Sequence, residues 1–201
     1  MDESKQPAAV LIRLGATLSI ALVAGAAFAW PRLAEALIYQ RAGILAGQAW
    51  RLWTGHLVHY SASHLLWDLA VFLAAGLWLE KIAAPLARWF YVLAPPAISG
   101  ALLVGEPALE RYAGLSGLAA GLLVLLALVQ LRPGTNEPRW FWISVLALVG
   151  VKVVLETTTR TPLLARFDSG VTVVPLAHLA GIGCAVVAFL IARRRLGLPP
   201  G

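Results

Sequence analysis

The sequence predicts an all-α polytopic membrane protein with six spans, and three observations predict it. Apolar residues make up 60% of the 201-residue chain and charged residues only 13%, where a soluble domain carries about 45–50% and about 25%. One small domain cannot hide that much apolar surface from water, so lipid is the solvent it fits. Six stretches, roughly 10–30, 61–79, 89–105, 112–131, 140–156 and 171–192, approach the about 20 mostly apolar residues needed to cross a bilayer. The connections between them are short, which leaves no length for a separate soluble domain. The chain reads as one domain over 10–192, with polar tails at 1–9 and 193–201.

Each element has its own signature. The first stretch ends in Ala27-Phe28-Ala29, which looks like a signal-peptidase site. Its apolar run is longer than a signal h-region and its leading segment is of mixed charge, so a retained first helix is expected. Residues 31–60 are semi-apolar, with Trp50, Trp53 and Tyr60, rings that favour the membrane interface. The third stretch contains Pro95-Pro96, and two residues without a backbone N–H predict a kink there. The fifth carries Lys152, which must either snorkel or face the bundle interior. Cys184, the single cysteine, allows no intrachain disulfide.

Charge sets orientation. With the N-terminus inside, nine Lys and Arg fall in inner segments and six in outer ones, and Arg193-Arg194-Arg195 is the largest cluster. The positive-inside rule then puts both termini in the cytoplasm. The same rule accounts for the net charge of +6, and no basic patch interleaved with aromatic residues points to nucleic acid.

Polar groups inside spans are costly and are functional candidates by default. They are His64 and Asp68 in the second span, Ser116 in the fourth and His178 in the sixth. In this topology the even-numbered spans all run inward. His64, Ser116 and His178 then lie within about 5–10 Å of the outer ends of their helices at about 1.5 Å per residue. The serine sits in Gly114-Leu115-Ser116-Gly117, with Gly121 beyond. Gly114 permits an unusual turn into the helix, and Gly117 and Gly121 form a small-xxx-small face for close packing. A serine in a first helical turn lies beside backbone N–H groups with no intrahelical partner, donors suited to an oxyanion. His178 is followed by Gly181 and Gly183, and His64 and Asp68 share one helix face at i,i+4. Singly, each has a plainer reading. A serine in a span usually bonds its own backbone, a glycine-flanked serine is often a packing motif, and His64 with Asp68 fits a neutral packing pair. No third ligand with tight spacing supports a metal, so no metal or cofactor is expected.

Together these segments resemble the rhomboid family of intramembrane serine proteases. Residues Trp50 to His59 followed by His64-Leu65-Leu66-Trp67-Asp68 resemble its first loop and second helix. Gly114-Leu115-Ser116-Gly117 resembles its nucleophile motif, and Ala177-His178-Leu179-Ala180-Gly181 its catalytic histidine motif. The resemblance covers residues 50 to 192. The run Gly47 to His59 and the minimal six-helix chain resemble the rhombosortases, bacterial members associated with removal of C-terminal Gly-Gly sorting tails.

The resemblance implies Ser116 as nucleophile and His178 as general base and acid, a dyad with no carboxylate to orient the histidine. It implies an oxyanion site from the Ser116 N–H and His64, with Asp68 as a further candidate. Trp50 and Arg51 would anchor the first loop, and Gly181 would let the sixth helix approach the fourth. The implied partners are the lipid bilayer and membrane-anchored proteins with a C-terminal transmembrane sorting segment, and the implied location is a bacterial inner membrane. Two positions depart from the family pattern. Asp68 stands where most rhomboids have an amide donor, so either it is protonated or it orients and charges His64. Ala120 stands where many place an aromatic ring against the catalytic histidine. Two other functions remain open: a catalytically inactive rhomboid-like binding or quality-control protein, and a small transporter.

Overall fold

The computed structural model describes residues 6–159, 161 and 173–195, with side chains from 15 to 193 within them. Most of both tails, and the first residues expected in the sixth span, lie outside these. The described chain is mostly helical: α1 (Gln6–Ala29), α2 (Pro31–Leu37), α3 (Arg41–Leu45), α4 (Arg51–Thr54), α5 (Ala62–Gly105), α6 (Ser116–Gln130), α7 (Arg139–Thr159) and α8 (Pro175–Arg195). Three helices, α5, α7 and α8, are long and apolar enough to cross a membrane, and α1 with α2 forms a further candidate bent by 118°. The bend falls where Trp30 is extended and Pro31 opens α2, a position where the missing N–H costs nothing.

The second and third expected spans form one 44-residue element whose only non-helical backbone is at Ala83 (φ −150°, ψ 53°). A straight helix would hold Phe72 and Tyr91 about 28 Å apart. Their ring centroids lie 5.6 Å apart, so the two halves of α5 fold back on one another. A Cβ on Gly76 would lie 2.6 Å from the Tyr91 hydroxyl and 2.7 Å from Thr17 Cγ2, so this glycine lets α1 and both halves of α5 meet. The turn expected over 80–88 is therefore a sharp break at Ala83, with Pro85 opening the second half. Pro95-Pro96 does not depart from helical φ/ψ. The carbonyl that Pro96 deprives of its partner, Val92 O, instead accepts from Trp53 Nε1 at 2.8 Å.

Residues 31–60 are built, not loose. Strand β1 (Tyr39–Gln40) pairs antiparallel with β2 (Arg111–Tyr112), Tyr39 opposite Tyr112. Among the described residues, these two-residue strands are the exception to the expected all-α architecture. Arg51 is buried and binds three groups, Gln48 Oε1 at 2.6 Å and the carbonyls of Glu35 at 3.0 Å and Ile38 at 2.6 Å. Trp50, half-exposed, donates Nε1 to Ala36 O at 3.3 Å. His56 Nε2 reaches Pro95 O and Ser99 Oγ, both at 3.1 Å. Burial pushes the His56 pKa down to about 4, which keeps this tie neutral at physiological pH. The segment is thus fastened to the second half of α5 and to the strand that leads into α6.

Helix α6 is apolar all round and buried on nearly every face, as a central helix must be. It packs against α5, α7 and α8. Its 15 residues span about 22 Å, less than a hydrocarbon core of about 30 Å. The missing length is the non-helical segment 112–115, expected in the span but observed as strand and turn.

Candidate active site

Three helix N-termini carry the sequence candidates. Ser116 is the first residue of α6, His64 the third of α5 and His178 the fourth of α8. Ser61 caps α5 by accepting from the His64 N–H at 3.1 Å, which fixes the turn that carries His64. The chain enters α6 through Gly114 at φ +126°, a conformation that favours glycine. A Cβ there would lie 2.6 Å from His64 Nε2 and 3.3 Å from Asp68 Oδ2. The backbone two residues before Ser116 is therefore pressed against His64 and Asp68.

The α6–α8 crossing is equally close. A Cβ on Gly117 would lie 2.7 Å from Ala177 O, one on Gly121 would strike Gly181 O, and one on Gly181 would strike Gly117 O. Small residues on both helices bring backbone against backbone. Ser116 adjoins Gly117 and His178 adjoins Ala177, so this crossing brings together the helix turns that carry the nucleophile and base candidates. Ser116 is half-buried and His178 buried. His178 Nε2 carries no hydrogen bond among the described residues.

Asp68 Oδ2 lies 3.2 Å from His64 Nε2 and 3.3 Å from His59 Nε2. The i,i+4 spacing thus does bring Asp68 to His64. His59, which the sequence marks only as part of the first-loop motif, also accepts from the Leu115 N–H at its Nε2, 3.4 Å away. The expectation of no third ligand beside His64 and Asp68 needs correcting, because the ligand-type atoms of His59, His64 and Asp68 lie within 4.8 Å of one another. His59 Nε2 faces both the Leu115 N–H and Asp68 Oδ2, and Gly114 packs on His64 Nε2, so these groups form a polar network against the 114–115 turn. Tyr112 carries no signal in the sequence that sets it apart from the apolar stretch it opens. Its hydroxyl donates to Gly114 O at 3.2 Å and reaches the Ser116 side chain.

The expected absence of a carboxylate beside His178 is overturned. Glu156 Oε2 on α7 lies 3.2 Å from His178 Nδ1 and accepts from Lys152 Nζ at 2.6 Å. Lys152 faces the bundle interior, the second of its two expected placements. Glu156 was missed because the fifth span was read as ending there. The helix runs on to Thr159, which puts the carboxylate inside it, 2% exposed.

The rhomboid domain family matches residues 46–195, about three-quarters of the chain. The chain belongs to the rhomboid family. No curated protein matches it. Rhomboids are usually intramembrane serine proteases, although inactive members exist. The matched range holds every polar group of the site, from His59 to His178, and leaves out α1, α2, β1 and α3.

Proposed function

We propose that this rhomboid is an active intramembrane serine endopeptidase of the six-span type with both termini cytoplasmic, and that Ser116 is its nucleophile. The observation that carries this is Ser116 at the first position of α6, beside the glycine-packed crossing that presents His178. The fold-back of α5 supports counting it as two spans. In the proposed reaction Ser116 Oγ attacks the scissile carbonyl carbon while its proton passes to His178 Nε2. The carbonyl π pair moves onto oxygen, where the Ser116 N–H and His64 donate to it. The first turns of α5 and α8 both pack on the start of α6, so three positive dipole ends would lie near that charge. The intermediate collapses, the C–N bond breaks, and the leaving amine takes the proton from His178 Nε2. Water, deprotonated by His178, then releases the acyl group from Ser116.

Asp68 is read as the group that orients His64, since its carboxylate contacts the ring. Asp68→Asn keeps the shape and removes the charge. It should slow reaction of Ser116 with a fluorophosphonate about 10-fold to 10²-fold, less than the about 10²-fold to 10³-fold for removing an oxyanion donor outright, because His64 itself remains. A rate near wild type means that the carboxylate is not needed.

The proposed substrates are membrane-anchored proteins cut near the outer face of a bacterial inner membrane, with removal of C-terminal Gly-Gly sorting tails as the rhombosortase-like assignment. Support for that assignment is the run Gly47 to His59. The hydrolase reading is tested by fluorophosphonate labelling of wild type, Ser116→Ala and His178→Ala. Only the wild type should label at an appreciable rate.

A further inference from the structure

A buried carboxylate inside an apolar helix is costly unless it is paired, and it calls for a reason. Glu156 is paired on two sides, with Lys152 Nζ at 2.6 Å on its own helix and His178 Nδ1 at 3.2 Å on α8. Helix formation does not explain it, because Lys preceding Glu at i,i+4 is the weaker order. Packing does not either, since α7 lies mainly on α6 and touches α8 only lightly.

We propose that Glu156 is a positioning residue for His178, so that the site works as a carboxylate–histidine–serine relay and not as a two-residue pair. The inference rests on the hydrolase reading above. A carboxylate at Nδ1 selects the tautomer with the proton on Nδ1 and the lone pair on Nε2. That lone pair is the one needed to take the Ser116 proton, and Nε2 is the ring nitrogen with no hydrogen bond among the described residues. The Nδ1 contact is close in distance but not ideally aligned, and such contacts commonly tighten only when substrate is bound. When Nε2 takes the proton, the imidazolium faces a carboxylate already held in place. Lys152 balances the Glu156 charge in the resting state, so His178 need not be cationic to satisfy it. The relay also answers the departure at Ala120. With no aromatic ring there to brace His178, Glu156 fixes the ring from the α7 side.

The test is fluorophosphonate inactivation of the full-length protein, separating the maximal inactivation rate from the half-saturating concentration, with unfolding midpoints measured alongside. Glu156→Gln should lower the maximal rate by at least about 10²-fold and up to the about 10⁴-fold that follows loss of the tautomer-selecting charge of a triad. Half-saturation should stay within about threefold, as expected when an interaction is lost mainly from the transition state. Glu156→Asp should recover part of the rate. Should Glu156→Gln fail to fold because Lys152 is left unpaired, the double variant Lys152→Met/Glu156→Gln decides, because it removes both charges. It should fold and remain slow. A folded Glu156→Gln or double variant reacting at a near-wild-type rate overturns the relay alone. Absence of Ser116-dependent labelling in the wild type overturns the hydrolase reading and the relay with it.

Discussion

Gly181→Ala should lower the unfolding midpoint and slow Ser116 labelling about 10²-fold, and Gly181→Val should prevent stable folding. A Cβ at 181 would collide with the Gly117 carbonyl oxygen. That obstacle is backbone and cannot rotate away like a side chain. The helices must part, and overpacking of this kind costs about 1–3 kcal/mol, occasionally more. The parting also separates Ser116 from His178, and a misplacement of about 1 Å can cost about 10²-fold in rate. Gly183 supplies the control. It lies two residues further along α8 with nothing within 4 Å of its would-be Cβ, so Gly183→Ala should change neither quantity appreciably. Thermal unfolding in detergent and labelling kinetics read both effects. Equal effects at the two positions would contradict the packing account.

His178→Ala should slow fluorophosphonate labelling on the order of 10⁴-fold to 10⁶-fold, the range for deleting the base of a serine nucleophile. Folding should suffer much less. Lys152 still pairs with Glu156 at 2.6 Å, so no carboxylate is stranded, and the Gly117–Gly181 approach does not involve the imidazole. The residual rate measures what the Ser116 N–H and the converging helix N-termini supply without the base. A loss of less than about tenfold would mean that another group takes the serine proton. Tyr112, whose hydroxyl reaches Ser116, would be the first to replace.

Much of this architecture was legible because membrane helices announce themselves through composition. Ser116 and His178 were legible through their glycine neighbours, whose requirement for close backbone approach the α6–α8 crossing meets. The depth of Ser116 was misread by one turn. A non-helical segment of apolar residues, 112–115, looks like span in a hydropathy profile, yet the strand pairing of Tyr112 with Tyr39 and the positive φ of Gly114 delay the helix to Ser116. Two-residue strands have no periodicity to detect. Glu156 and His59 were missed for different reasons. An acidic residue at the end of an apolar run reads as the water boundary, yet the helix continues to Thr159 and the carboxylate is paired inside the bundle with Lys152 and His178. His59 reads as loop because its role is non-local, reaching Leu115 across 56 positions of chain. The turn between the halves of α5 was expected as a loop over 80–88. Ala83 accomplishes it almost alone, and the helix resumes at once because Pro85 suits a first turn.

The central claim is that Ser116 is an activated nucleophile. The most direct measurement is reaction of the detergent-solubilised full-length protein with a fluorophosphonate, followed by mass-spectrometric location of the adduct. The account predicts a single adduct on Ser116, absent from Ser116→Ala and formed far more slowly in His178→Ala. Equal labelling of wild type and Ser116→Ala, or an adduct located on another residue, would contradict it.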